Sequence, residues 1–166
     1  MHFLRFNHEG DRFSLVKHLN MSEILIPSGT GLNEHYCRRW LALRILKQLE
    51  SKQRKNGKVE QPIVDVQVSR FVESPSRFLC IAMARHLALN PAATSSVALG
   101  FRVDDVLERA VSFLSDPAID RFEINGTCER CPLTVAQCEE RVAPASFLEL
   151  EREHQEIEKE LASLAG

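Results

Sequence analysis

The sequence predicts a mixed α/β fold: an antiparallel sheet with flanking helices, then a cysteine knuckle and an acidic amphipathic helix. Three observations carry this expectation. Val64, Val66 and Val68 alternate with Asp65, Gln67 and Ser69, the period-two signature of a half-exposed strand. Cys37, Leu41, Ile45 and Leu49 recur every four residues, with Trp40 and Leu43 widening the stripe, as on the buried face of a helix. Cys128, Cys131 and Cys138 crowd into one short run, which points to a metal or an iron–sulfur cluster rather than a disulfide.

Taken in order, Phe3–Phe6, the polar turn Asn7–Asp11 and Phe13–Val16 read as a hairpin. Met21–Pro27 is a further short strand candidate, closed by Pro27–Gly31. Asn33 is placed to cap a helix running to about Lys52, with Cys37 on the buried face of its first turns. A basic connection, Ser51–Lys58, follows; without interleaved aromatics it reads as a solvated loop rather than a nucleic-acid patch. Val64–Ser69 is the half-exposed strand. After a turn at Glu73–Ser76, Phe78–Ala84 is apolar at nearly every position, as for a central strand covered on both faces. Ser96–Phe101 reads as the next strand, so three in succession form an antiparallel meander. Asp104 or Asp105 starts a helix through Leu114 on Val106, Leu107, Ala110 and Phe113. Ser146 and Glu149 form a capping box for a last helix. There Phe147, Leu150, His154, Ile157, Leu161 and Leu164 follow a heptad spacing that motivates a homodimer.

With 166 residues, 44% hydrophobic, the chain has enough apolar side chains for a core of ordinary domain size. A net charge of −2 argues against a generic nucleic-acid surface. No apolar run approaches the roughly 18–20 residues that span a bilayer, and Met1–His8 lacks the parts of a signal peptide. These features place the protein in the cytoplasm, away from membranes, with reduced thiols. The histidines are scattered, and no nucleophile–base pairing emerges that would support an enzyme.

In the cysteine run, the two residues between Cys128 and Cys131 let both sulfurs reach one centre from a tight turn. Cys138 can approach from the following turn. Zinc would complete a tetrahedron with a fourth Cys or His, and a 4Fe-4S cluster would take a fourth thiolate. Cys37 and Cys80 are the candidates for that place, with His35 a weaker one. Embedded in Leu79-Cys80-Ile81-Ala82, Cys80 reads as a core residue.

Five segments in order resemble the C-terminal sensory domain of the short-chain fatty acid regulators. These are bacterial transcription factors of the XRE class, including regulators of propionate and glyoxylate metabolism. The segments are Leu4–Gly10, Cys37-Arg38-Arg39-Trp40, Phe78–Ala82, Leu99-Gly100, and Cys128–Cys138 followed by Glu140–Pro144. The last cysteine gap holds six residues where the resemblance leads one to expect about four, and Met83 stands where an arginine is usual.

The resemblance implies a GAF-like α/β sensor over residues 1–125, a cluster-binding segment over 126–145 and the helix over 146–166. It implies a ligand-sensing domain of a transcriptional regulator that binds coenzyme A or a short-chain acyl-CoA and is not an enzyme. It also implies a 4Fe-4S cluster on Cys37, Cys128, Cys131 and Cys138, with Cys80 as the alternative ligand. DNA would be reached only through a separate helix-turn-helix domain, so the chain looks like an isolated sensor. For the ligand's phosphates, Arg70 and Arg85 are the favoured cations, and Trp40 can wall the pocket. The competing reading is a zinc-stabilised interaction module without a small-molecule ligand; a small iron–sulfur enzyme is a third.

Overall fold

The computed structural model describes residues 1–10, 12–21, 34–57, 61–72, 74–90, 93–142 and 147–164. They form six strands, β1 (His2–Glu9), β2 (Arg12–Asn20), β3 (Ile63–Phe71), β4 (Arg77–His86), β5 (Thr94–Arg102) and β6 (Asp120–Ile124). The helices are α1 (Leu41–Asn56), α2 (Asp105–Ala110) and α3 (Phe147–Leu164). The chain divides into two units, Met1–Ser28 with Arg39–Ile124, and Gly29–Arg38 with Asn125–Gly166.

The first unit is a single mixed sheet in the order β2-β1-β5-β4-β3-β6. The β1–β2 hairpin forms where the alternating apolar runs foretell it, and Gly10 (φ 59°) supplies the left-handed residue of its tight turn. The meander β3-β4-β5 is antiparallel throughout. Strand β6 is absent from the sequence expectation and pairs parallel with β3. Its five residues offer only Phe122 and Ile124 as apolar signal, too little to announce a strand.

Helix α1 packs on one face of this sheet, against β4, β5, β3 and β1. Leu43, Ile45, Leu46 and Leu49 are fully buried there, each contributing about 1.5–3 kcal/mol. The helix starts later than the spacing suggests. Its N-cap is Trp40, so Cys37 precedes the helix instead of riding its first turn. Residue Asn33 lies outside the described residues, as do the Met21–Pro27 strand, apart from Met21 itself, and the Ser146 cap. Gly57 (φ 76°) ends α1, donating to the Gln53 carbonyl, with Arg54 and Lys55 in the last turn on the favourable end of the helix dipole.

Two burial expectations are reversed. On β3 the polar residues turn inward: Gln67 and Ser69 are essentially inaccessible, while Val64 is 64% exposed. The α1 side of β3 carries Gln67 and Ser69, and Val68 turns to the other side. There it joins Leu79, Leu114 and Ile119 in a small cluster fringed by Val66, Val103, Leu107 and Val111. On β4, Phe78, Ala82 and Ala84 are buried while Ile81 is 38% exposed, so this central strand is closed on one face and partly open on the other.

Asp104 caps α2 as anticipated, accepting from the Leu107 amide at 2.9 Å. The helix stops at Ala110 and a 3-10 turn, Ser112–Ser115, replaces its second half. Val106 and Phe113 consequently point to solvent. In the second unit α3 begins at Phe147, and residues 153–163 are exposed throughout. Among the described residues, no helix is long and apolar enough to cross a membrane.

Candidate functional site

The second unit is organised by a short pairing between residues 34–38 and 125–131. Tyr36 and Thr127 form an antiparallel bridge. On either side of it the Cys37 amide donates to Gly126 at 3.2 Å, and the Cys128 amide donates to His35 at 2.8 Å. Backbone hydrogen bonds therefore set Cys37 alongside Cys128, although ninety-odd residues separate them in sequence. The Glu129 carboxylate locks the same pairing, taking the His35 amide on Oε2 and lying 2.8 Å from His35 Nδ1 with Oε1. Arg130 adds an ion pair to Glu34 at 2.7 Å.

Beyond this pairing the Cys131 amide returns to the Cys128 carbonyl at 3.2 Å, closing the tight turn that a two-residue spacing requires. Thr134 and Gln137 form a reciprocal capping box over the 3-10 turn Val135–Gln137, whose end presents Cys138. The Cys138 carbonyl then accepts from the Arg141 amide, and the Arg141 guanidinium reaches back to Leu133 at 2.9 Å. Cys37, Cys128, Cys131 and Cys138 are all buried thiols and none forms a disulfide.

Among the described residues, no group of three or more His, Cys, Asp or Glu side chains is gathered as a metal-ligand set. The donor chemistry nonetheless suits a soft metal centre, since four buried thiols in one unit match thiolate-ligated zinc or iron–sulfur sites. Thr127, in the bridge, is 2% exposed and its Oγ1 has no hydrogen-bond partner.

Cys80 belongs to the sheet unit. It lies on β4 opposite Gln67 and Gly100, with Sγ 3.6 Å from the Ser69 hydroxyl. Burial pushes its thiol up to about 11, against a smaller lowering by Ser69, so it stays protonated at neutral pH. It lines a cavity of about 50 Å³ between α1 and the sheet, walled also by His2, Trp40, Phe71, Phe78 and Gly100. One water needs roughly 10–15 Å³ on this measure, so the space is several times that. Trp40 is 4% exposed and meets Phe6 edge to face at 5.8 Å, which makes it both core and cavity wall. Burial, the Met1 ammonium and His18 together push His2 down to about 4.

Trp40, Arg70 and Arg85 do not share a surface. Trp40 lies at the α1 face, while Arg70 and Arg85 project from the opposite face near opposite ends of the sheet. Arg70 is paired with Glu123. Arg85 borders a separate cleft with Arg5, Met83, Leu87, Ser95 and Val97. Arg44, one of the helix cations, is drawn into the fold: it donates to Gln67 at 2.5 Å, pairs with Asp120 at 2.6 Å and stacks over Phe122 at 4.2 Å.

Sequence reasoning passed over Glu129 and Arg5: Glu129 lies next to Cys128, which was the available signal, and Arg5 lies in the resembling segment Leu4–Gly10 while its partners lie on other strands. No family model, curated protein or solved structure matches this chain.

Proposed function

We propose that this chain is a GAF-like ligand-sensing domain of a bacterial transcriptional regulator, which binds coenzyme A or a short-chain acyl-CoA and holds a 4Fe-4S cluster. Cys37, Cys128, Cys131 and Cys138 are the cluster ligands in this reading. The observation that carries it is the backbone pairing of residues 35–37 with 126–128, which ties a distant cysteine to the cysteine run. Cys80 is the weaker ligand, since its thiol resists the deprotonation that metal binding requires.

A cluster would supply a redox-active centre and a covalent tie across the 34–38 and 126–138 segments. The residues' own contribution is to hold that tie in register, through Glu129 on His35 and the Thr134–Gln137 cap before Cys138. Support for coenzyme A binding is the resemblance carried by Leu4–Gly10, Cys37–Trp40 and Phe78–Ala82; the cavity under α1, apolar but for His2, Ser69 and Cys80, is a separate small space. DNA binding belongs to a separate domain.

Anaerobic purification tests the reading. Brown protein with broad visible absorption and about four irons per chain supports the cluster. Colourless protein with one zinc rejects it in favour of a zinc-stabilised interaction module. Titration with coenzyme A thioesters tests the ligand: no saturable binding at micromolar concentration rejects the sensor.

A further inference from the structure

We propose that the sheet face opposite α1 binds a small amphipathic anion, with a phosphoryl group between Arg5 and Arg85 and its apolar arm along Ile81, Leu99 and Phe3. The β-ladders put these groups together. Arg85 lies opposite Ser95 across β4 and β5, and Arg5 lies opposite Val97 across β1 and β5. Ser95 therefore stands on the same face between the two guanidiniums, and Arg5 Nε approaches its hydroxyl at 3.4 Å. Met83 and Val97 floor the cleft, which measures about 150 Å³.

Charge distinguishes this pair from Arg70 and Arg77 on the neighbouring strands. Arg44, Arg70, Arg77 and Arg130 are each held by a carboxylate. Among the described residues no carboxylate holds Arg5 or Arg85. Lys17 lies directly opposite Arg5 in the β1–β2 ladder, a like-charge juxtaposition that destabilises a sheet unless an anion answers it. The Ser95 hydroxyl donates to the Phe6 carbonyl at 3.0 Å and accepts from Arg5, so it orients that guanidinium, and the two guanidiniums suit a phosphoryl group, which arginine recognises through paired N–H donors.

One row further along the same face, Ile81, Leu99, Phe3 and Leu19 are successive partners across four strands. Ile81, Leu99 and Leu19 are 38%, 37% and 49% exposed, an apolar row beside a cationic cleft. A ligand with a charged head and an apolar arm matches both at once, as a coenzyme A thioester does. The ligand's identity rests on the acyl-CoA reading, whereas the anion site rests on the arginines alone.

The test measures binding of coenzyme A, dephospho-coenzyme A and inorganic phosphate to the wild type, an Arg5→Ala/Arg85→Ala variant and an Arg5→Lys/Arg85→Lys variant. Thermal unfolding serves as the folding control. The expected result is at least a tenfold loss of coenzyme A affinity in the alanine variant, partial recovery with lysine, and loss of phosphate binding in parallel. A dephospho-coenzyme A affinity equal to that of coenzyme A moves the phosphoryl contact to the pyrophosphate, provided the alanine variant loses both. Coenzyme A bound equally by wild type and alanine variant overturns the site and leaves the acyl-CoA reading standing. Phosphate lost from the variant, with no coenzyme A bound by any protein, keeps the anion site and discards the thioester. A wild type that binds none of the three overturns both.

Discussion

Glu129 grips His35 at two points, accepting from its backbone amide at 2.8 Å and facing its Nδ1 at 2.8 Å. Only 7% of Glu129 is exposed, so this carboxylate works in a largely desolvated place where its partners matter. It clamps the one strand-like pairing that sets Cys37 beside Cys128.

Replacing Glu129 with alanine is expected to loosen that pairing by about 1–3 kcal/mol, the cost of stranding a buried donor. Amide exchange is the direct readout. Protection at Cys37 and Cys128 should fall together, because both amides belong to the clamped pairing. Protection unchanged from wild type would show that the backbone pairing stands without the clamp.

Gln67 is expected to matter more than any valine beside it. Its Oε1 accepts from Arg44, and its Nε2 donates to the Arg39 carbonyl at 3.0 Å and to Ser69 at 2.8 Å. Gln67→Leu keeps the bulk and removes all three bonds, for a loss of about 1–3 kcal/mol in urea unfolding. Val64→Thr, on the exposed side of the same strand, should stay within about 0.5 kcal/mol. The reverse ranking would contradict the burial pattern of β3.

Acidification should weaken the fold through His2. Its folded-state value, lowered from 6.5 to about 4, lies below its ordinary one, so the unfolded chain binds the extra proton first. Stability from this group is present above about 6.5 and drains away as pH falls towards 4. His18, lowered by burial and stacked on His2 with ring centroids 6.3 Å apart, adds in the same direction. His2→Asn should flatten the melting temperature against pH over this window; an unaltered slope would assign it to other groups.

For the proposed cluster, Cys37→Ala is expected to lose iron and Cys80→Ala to keep it, which elemental analysis resolves.

On α3, Ile157 and Leu161 are 54% and 61% exposed, which leaves these two heptad positions available to a second copy. A chain ending at Pro144 is expected to self-associate more weakly in sedimentation than the full chain. Equal behaviour would place any self-association elsewhere.

The hairpin, the meander and the existence of α1 were legible because each rests on a local period that burial enforces. The start of α1 was not legible. Cys37 has the right spacing for the stripe, but residues 35–37 spend their backbone hydrogen bonds on 126–128, a competition that spacing cannot reveal. The inward turn of Gln67 and Ser69 was hidden for a similar reason. Alternation tells which residues share a face, not which face is covered, and the polar set is satisfied by Arg44 and Arg39 from a different element.

By itself the sequence determined the alternating and helical segments and the run Cys128–Cys138, since periodicity and the rarity of cysteine are local properties. The tertiary structure alone decided that Cys37 shares a unit with that run while Cys80 lies in the sheet, and that Arg5, Arg85 and Ser95 line one cleft. Those relationships join residues about ninety positions apart. They depend on which strands pair, and strand pairing is settled by how the whole chain buries its apolar surface and satisfies its backbone.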